Sequence, residues 1–262
     1  MSNSESFLDN LQARGRIAFT TADYAAALCL SPTAAMHSLL RLRRKQEIAS
    51  PVRGFHVILP PADRANGSRP AEEFVDYLMK YLESPYYVAL LSAAEIHGAA
   101  HHRPQMFQVI VTSRRRAIRC GNVRIQFLVK GSIHRLSTTK HKVRTGYLTV
   151  GTPEVTAFDL VAYQTKAAGI DNVATVLSEL VESISAPKLI EVSKFFEIAT
   201  VQRLGFILDK VGATGLANSL EEEVRKQAAR SVVLVPGKKS AHNMATDKRW
   251  RIIVNDEIQP DI

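Results

Sequence analysis

The 262-residue chain predicts an α+β fold, in which a small helical unit closed by a hairpin is followed by a larger domain of mixed α and β structure. Three observations lead there. The first sixty residues set short helical patterns against extended segments. Pro60 to Pro70 (Pro-Pro-Ala-Asp-Arg-Ala-Asn-Gly-Ser-Arg-Pro) then has neither hydrophobic period nor apolar content, as an exposed linker would. Beyond it helices give way to strands, then helices, then a last extended pair, an order proper to α+β domains. The predicted division is 1–60, a linker at 61–70, and 71–262. At 46% hydrophobic residues, the chain has material for a core in each part.

Within the first part, Ser6 to Arg14 reads as a helix and Arg16 to Thr20 as a brief strand. Thr21 is placed to cap a helix over Ala22 to Leu28, because its hydroxyl can accept from the open N–H groups of a first turn. Ser31-Pro32 is a stronger start: the serine accepts in the same way, and proline at the first helical position loses no hydrogen bond. That helix is predicted over Pro32 to Gln46, with Ala35, Leu39 and Leu42 at i, i+4 and i+7 as its buried stripe. Ile48-Ala49-Ser50, the turn Pro51-Val52-Arg53-Gly54 and Phe55 to Leu59 then form a β-hairpin.

Two short helices, a turn and a closing hairpin are the parts of a winged helix-turn-helix, and residues 5 to 60 resemble that family. In such domains the second helix of the turn enters the major groove of double-stranded DNA and offers its outward N-terminal residues to base edges. With the apolar stripe inward, Ser31, Thr33, Met36, His37 and Arg41 face outward. Arg43, Arg44 and Lys45 suit phosphates, and Arg53 at the hairpin tip suits the backbone or the minor groove. The alternative for this stretch is a helical unit that binds protein and whose charged face is merely solvated.

The second part opens with helical patterns at Glu72 to Leu82 and Tyr86 to Gly98. Strands are predicted at Gln105 to Val111, Val123 to Val129 and Tyr147 to Val150. Thr152-Pro153 opens a helix through Ala162, helical patterns continue to Arg230, and Ser231 to Val235 and Arg249 to Val254 are extended.

The net charge of +9 has a location. Between His101 and Val150 lie eleven Lys or Arg residues, Arg114, Arg115, Arg116 and Arg119 among them, and no Asp or Glu. One sign concentrated in this way makes a field that attracts a polyanion. Nucleic acid is the expected partner, and Arg114, Arg115, Arg116 and Arg119 are the candidate phosphate contacts. A bland basic surface or a site for an acidic protein is the competing reading.

No run approaches the roughly 20 apolar residues a bilayer requires, and Met1 to Asn10 is polar, so neither membrane span nor secretory signal is expected. Cys29 and Cys120 are too few for a disulfide framework, and a reducing cytoplasm is the default. His97 and His101 stand at i, i+4, but the helix is expected to end near Gly98, and no carboxylate or cysteine completes a metal set. A restriction-type nuclease wants Glu-x-Lys on its second strand, where this chain reads Gln126-Phe127-Leu128-Val129-Lys130. Gly131-Ser132 lacks the paired carboxylates of a nucleotidyltransferase, and no Walker loop, Gly-x-Ser-x-Gly or dinucleotide fingerprint occurs. No enzyme, metal or cofactor is therefore expected.

Leu91-Ser92-Ala93-Ala94-Glu95-Ile96-His97-Gly98, the strand Gln108 to Thr112, and Thr152-Pro153-Glu154-Val155-Thr156-Ala157-Phe158-Asp159-Leu160-Val161 resemble phrases of the AbiEi family of antitoxins. Arg203 to Leu208 and Arg249 to Asn255 are similar to its closing pattern. Read locally, Thr152 is an N-cap, Trp250 a core anchor and Gly205 a close-packing point. The resemblance implies a transcriptional regulator of a bacterial toxin–antitoxin or phage-defence operon. Such a protein represses its own promoter, with inverted operator half-sites expected, and counteracts a nucleotidyltransferase-type toxin without a stable complex being required. A winged-helix transcription factor with a ligand-sensing C-terminal domain remains the alternative.

Overall fold

The structure, a computed structural model, describes residues 3–99, 104–227, 230–238 and 244–260. It is mixed α+β. Contacts divide the chain into two compact units, Met1–Tyr87 with Gln105–Ile133 and Lys140–Thr149, and Val88–Pro104 with His134–Thr139 and Val150–Ile262.

The first unit begins with α1 (Asn3–Ala13), β1 (Ala18–Thr20), α2 (Thr21–Ala27), α3 (Pro32–Arg44), β2 (Ile48–Val52) and β3 (Phe55–Ile58). The three strands form an antiparallel sheet of order β1-β3-β2. This is the element order of a winged helix-turn-helix. Ser31 caps α3 by accepting from Ala34 N at 3.3 Å, with Pro32 at the first helical position, as its sequence predicts. The cap of α2 is Thr20 rather than Thr21. Thr20 Oγ1 accepts from Asp23 N at 3.0 Å while Thr20 N donates to Asp23 Oδ2 at 2.9 Å, a reciprocal box that Thr21 has no acid at the right spacing to build. The hairpin turn is also tighter than the four residues expected. Val52 pairs with Phe55, leaving Arg53 and Gly54 to turn, and Pro51 sits in a register irregularity of an edge strand, where its missing N–H breaks no ladder bond.

The 61–70 segment is not exposed throughout. After a single 3-10 turn at Pro61–Asp63, Ser68 and Arg69 are buried. Arg69 donates to the Ile58 carbonyl at 2.6 Å and pairs with Glu73 at 2.8 Å. Glu73 lies on α4 (Ala71–Tyr81) and also receives two bonds from Arg144 at 2.9 and 3.0 Å. Burial pushes the Glu73 carboxyl up, but the bonds from Arg144 and Arg69 outweigh it and hold the group below the usual carboxylate range.

The span Tyr86 to Gly98, expected as one helix, is instead β4 (Tyr86–Val88) and α5 (Leu90–Ile96). Tyr-Tyr-Val favours a pleated strand, and Leu90 at φ +51° breaks the chain direction between the two elements. There follow β5 (Phe107–Val111), β6 (Ile118–Cys120), β7 (Val123–Val129), β8 (Thr138–Val143) and β9 (Gly146–Gly151). The six-stranded sheet has the order β6-β7-β5-β4-β9-β8. β5 and β7 run parallel with Val109 opposite Phe127, and β6 is antiparallel to β7 with Arg119 opposite Arg124. β6 and β8 were not expected. They are the two edges, and Thr-Thr-Lys-His-Lys-Val shows no apolar alternation because no residue of β8 is fully buried.

In the second unit the hydrophobic α6 (Pro153–Ala162) is packed by α5, α7 (Ile170–Leu180), α8 (Ala186–Ser193) and α9 (Ile198–Lys210), with α10 (Thr214–Gln227) against α8 and α9. Thr152 caps α6 as expected. The closing segments form a small sheet of β10 (Val232–Val233), β11 (Thr246–Asp247) and β12 (Ile252–Ile253), in the order β10-β12-β11. Trp250 is fully buried, and a Cβ on Gly205 would overlap its ring, so the close-packing reading of that glycine holds. The indole N–H donates to Asp209 at 2.5 Å, and Arg249 forms two 3.0 Å bonds to the same carboxylate.

Candidate nucleic-acid interface

The helix α3 is held from below. Ala35, Leu39 and Leu42 are buried in a cluster with Leu8, Leu11, Phe19, Tyr24, Ile48 and Ile58. Ser38 shares its hydroxyl with the fully buried Tyr24 of α2 at 2.7 Å, a polar pin that fixes the two helices of the turn. His56 pins the β2–β3 hairpin. Its Nε2 meets Thr21 Oγ1 at 2.9 Å and its Nδ1 meets Ser50 Oγ at 2.8 Å, so one ring ties the start of α2 to β2. Burial, with a smaller push from the Arg43 charge, lowers the His56 pKa to about 4, and the ring is neutral at neutral pH.

What this leaves outward is an uninterrupted exposed set. Ser31, Thr33, Met36, His37, Arg41, Arg43, Arg44 and Lys45 are all exposed, as is Arg53 at the tip of the β2–β3 hairpin. Tyr81 of α4 donates to the Arg53 carbonyl at 3.1 Å and its ring lies 5.3 Å from that of Phe55, which steadies the tip without engaging the arginine side chain. Lys45 faces Glu5 and Glu47 at 3.7 and 3.8 Å, loose surface pairs of the kind worth about 0–1 kcal/mol. Two residues of this face escaped the sequence reading. Leu40 is 42% exposed beside Met36 at 60%, and Gln46, in the left-handed region at φ +56°, ends the helix on the exposed side. Position 40 lies four after Met36 and seven after Thr33, a spacing that marks it as outward.

Gln105–Ile133 and Lys140–Thr149, the greater part of the basic stretch, share the first compact unit with α3. Arg114, Arg116 and Arg119 are exposed, whereas Arg115 is half-buried and donates to the Leu82 carbonyl at 3.1 Å. β6 packs beside β2, where Cys120 joins Ala49 and Leu59 in a small apolar cluster. Burial pushes the Cys120 thiol up, so it is held protonated.

Of the histidine pair, His101 lies outside the described residues, and His97 Nε2 donates to the Gly151 carbonyl at 2.7 Å. Among the described residues no three His, Cys, Asp or Glu side chains gather as a metal-holding group, and no helix is long and apolar enough to cross a membrane.

Comparison with solved structures finds the RV2827C protein of Mycobacterium tuberculosis, 14% identical over 95% of this chain and 90% of that one, with a TM-score of 0.68. That is a likeness of fold across nearly the full length. No curated protein matches the sequence. Residues 87–210, however, match the family model of the AbiEi antitoxin C-terminal domain, a stretch that runs from β4 through α5, the strands β5 to β9 and the helices α6 to α9. The matched stretch runs from the Ser-Ala-Ala-Glu-Ile-His-Gly helix through Arg203–Leu208, and over it the chain is similar to the AbiEi antitoxin C-terminal domain.

Proposed function

We propose that the protein is a DNA-binding repressor of its own promoter and the antitoxin of a toxin–antitoxin operon, counteracting a nucleotidyltransferase-type toxin in the cytoplasm. The AbiEi domain supports the antitoxin role. The DNA-binding half rests on one observation above the others: α3 buries Ala35, Leu39 and Leu42 and turns every polar and cationic candidate outward, in a unit that also carries the exposed Arg114, Arg116 and Arg119. Ser31, Thr33, Met36, His37 and Arg41 read base edges in the major groove. Arg43, Arg44, Lys45, Arg53 and the arginines of the basic stretch hold phosphates, Arg115 by its field alone since its fork is engaged by Leu82. A single recognition helix covers little DNA, so paired inverted half-sites are expected.

Footprinting the purified protein on the DNA upstream of its own gene tests the first half. Two inverted protected half-sites are expected, and no protection at any concentration that protects a control operator overturns the reading. Co-expression with the adjacent toxin tests the second: growth is restored, or the antitoxin assignment fails.

A further inference from the structure

The first unit contains a cleft of about 220 Å³ whose walls come from segments far apart in sequence. Arg43 and Gln46 stand at the end of α3, Ser50 lies on β2, Gly67 on the 61–70 segment, and Arg119 and Gly121 on and just after β6. Among the described residues no carboxylate lines it. Both arginines are exposed, and neither guanidinium makes a hydrogen bond or ion pair among the described residues, in contrast to those of Arg69, Arg144 and Arg249, which are all bonded to acids.

The two are brought together by a rigid contact rather than by chance exposure. The turn after β6 is seated on the 61–70 segment, with Asn122 N donating to the Asn66 carbonyl at 2.9 Å. Gly121, at φ +53°, lies so close to Asn66 and Gly67 that a Cβ there would overlap their backbone. The apolar cluster of Ala49, Leu59 and Cys120 closes the same region.

Two unpaired guanidinium groups on one small cleft repel each other, and an anion between them removes that repulsion while offering oxygens to both forks. Size restricts the anion. Small-molecule pockets begin at about 300 Å³, so this one takes a phosphate group and little more. The end of a recognition helix beyond its base-reading turn is where the DNA backbone passes.

We infer that Arg43 and Arg119 form a two-armed clamp on a single backbone phosphodiester of the bound duplex, which ties the basic stretch to the winged helix in one binding act. This rests on the DNA-binding reading above and adds to it a shared phosphate that neither arginine holds alone.

The test compares the full-length protein with Arg43→Gln, Arg119→Gln and the double variant on the footprinted operator across a salt series. Circular dichroism checks the fold, which exposed side chains leave intact. One shared phosphate predicts that the double variant lowers the log–log salt slope by about 0.9, and that its loss of affinity falls well below the product of the single losses. A fall of about 1.8 with multiplying losses means two separate phosphates and overturns the clamp. Unchanged DNA binding overturns it too, including the case in which pyrophosphate binds the wild type and not the double variant, since the cleft then serves a free anion. Thr33→Ala with His37→Ala separates the two levels. If that variant loses operator preference while the arginine variants bind normally, the clamp fails and the DNA-binding function stands; if the wild type binds no DNA, both fall.

Discussion

The apolar pair on the exposed face of α3 gives the sharpest test of the proposed DNA binding, because it separates base reading from charge. Met36 and Leu40 are 60% and 42% exposed on α3, one helical turn apart. Fully burying a Leu or Met side chain is worth about 1.5–3 kcal/mol, so covering the exposed fractions with DNA contributes about 0.9–1.8 kcal/mol for Met36 and about 0.6–1.3 kcal/mol for Leu40. Together that is about 1.5–3 kcal/mol, or roughly 10- to 150-fold in Kd. The natural apolar partner in the major groove is the thymine C5-methyl group. Replacing both residues with Ala is expected to weaken operator binding within that range, measured by fluorescence anisotropy. The salt slope stays unchanged because no charge is lost. Stability is expected to move by about 0.5 kcal/mol or less, since exposed positions away from special features are tolerant and Ala suits a helix. Uracil in place of thymine in the operator then weakens the wild type and not the double variant. Unaltered affinity on replacing both side chains, or equal sensitivity of both proteins to uracil, would remove this face from the groove.

Three other outcomes follow from named contacts. Arg114→Ser with Arg116→Ser is expected to flatten the salt slope by about 1.8 with base preference retained, whereas Arg115→Ser removes the bond to Leu82 and lowers stability by about 1 kcal/mol; the reverse pattern would show the sorting of these arginines to be wrong. Gly205→Ala forces a Cβ into the Trp250 ring and is expected to destabilise by about 1–3 kcal/mol or more in urea unfolding, an unchanged midpoint counting against the packing. Because the folded His56 pKa is depressed to about 4, the unfolded chain binds a proton that the fold refuses once the pH drops below about 6.5, and this part of the stability declines by roughly 1.4 kcal/mol per pH unit until about pH 4. His56→Gln is expected to abolish that share of the loss between pH 7 and pH 5, a change of about 2 kcal/mol, and equal losses in both proteins would refute it.

Local chemistry carried the fold wherever it was decided locally. Ser31-Pro32 and Thr152-Pro153 each place a cap and a proline where a helix starts, and both helices start there. Trp250 and Gly205 interlock as their residue types suggest. The failures share a cause of the opposite kind. Tyr86–Val88 is a strand because it pairs within a sheet whose other members come from distant sequence, and β8 is an edge strand whose polar residues keep no alternation to read. Arg69 sits in a stretch with the composition of a linker, yet Ile58 and Glu73 draw it inside.

The candidate interface divides along the same line. Inward and outward faces of α3 follow from helical period alone, and every residue assigned outward is exposed. The basic stretch is different, because a count of charges says nothing about which of them are spoken for. Arg144 is bound to Glu73, Arg115 to the Leu82 carbonyl and Lys140 to Thr149, so their ends are partly committed to the fold. Among the described residues the Arg119 guanidinium has no partner, and it lines the same cleft as Arg43 where Gly67 and Gly121 let two backbones touch. Sequence can give the sign of such a surface, but its working residues are those the fold leaves unpaired. That is a property of contacts made between segments that no local pattern links.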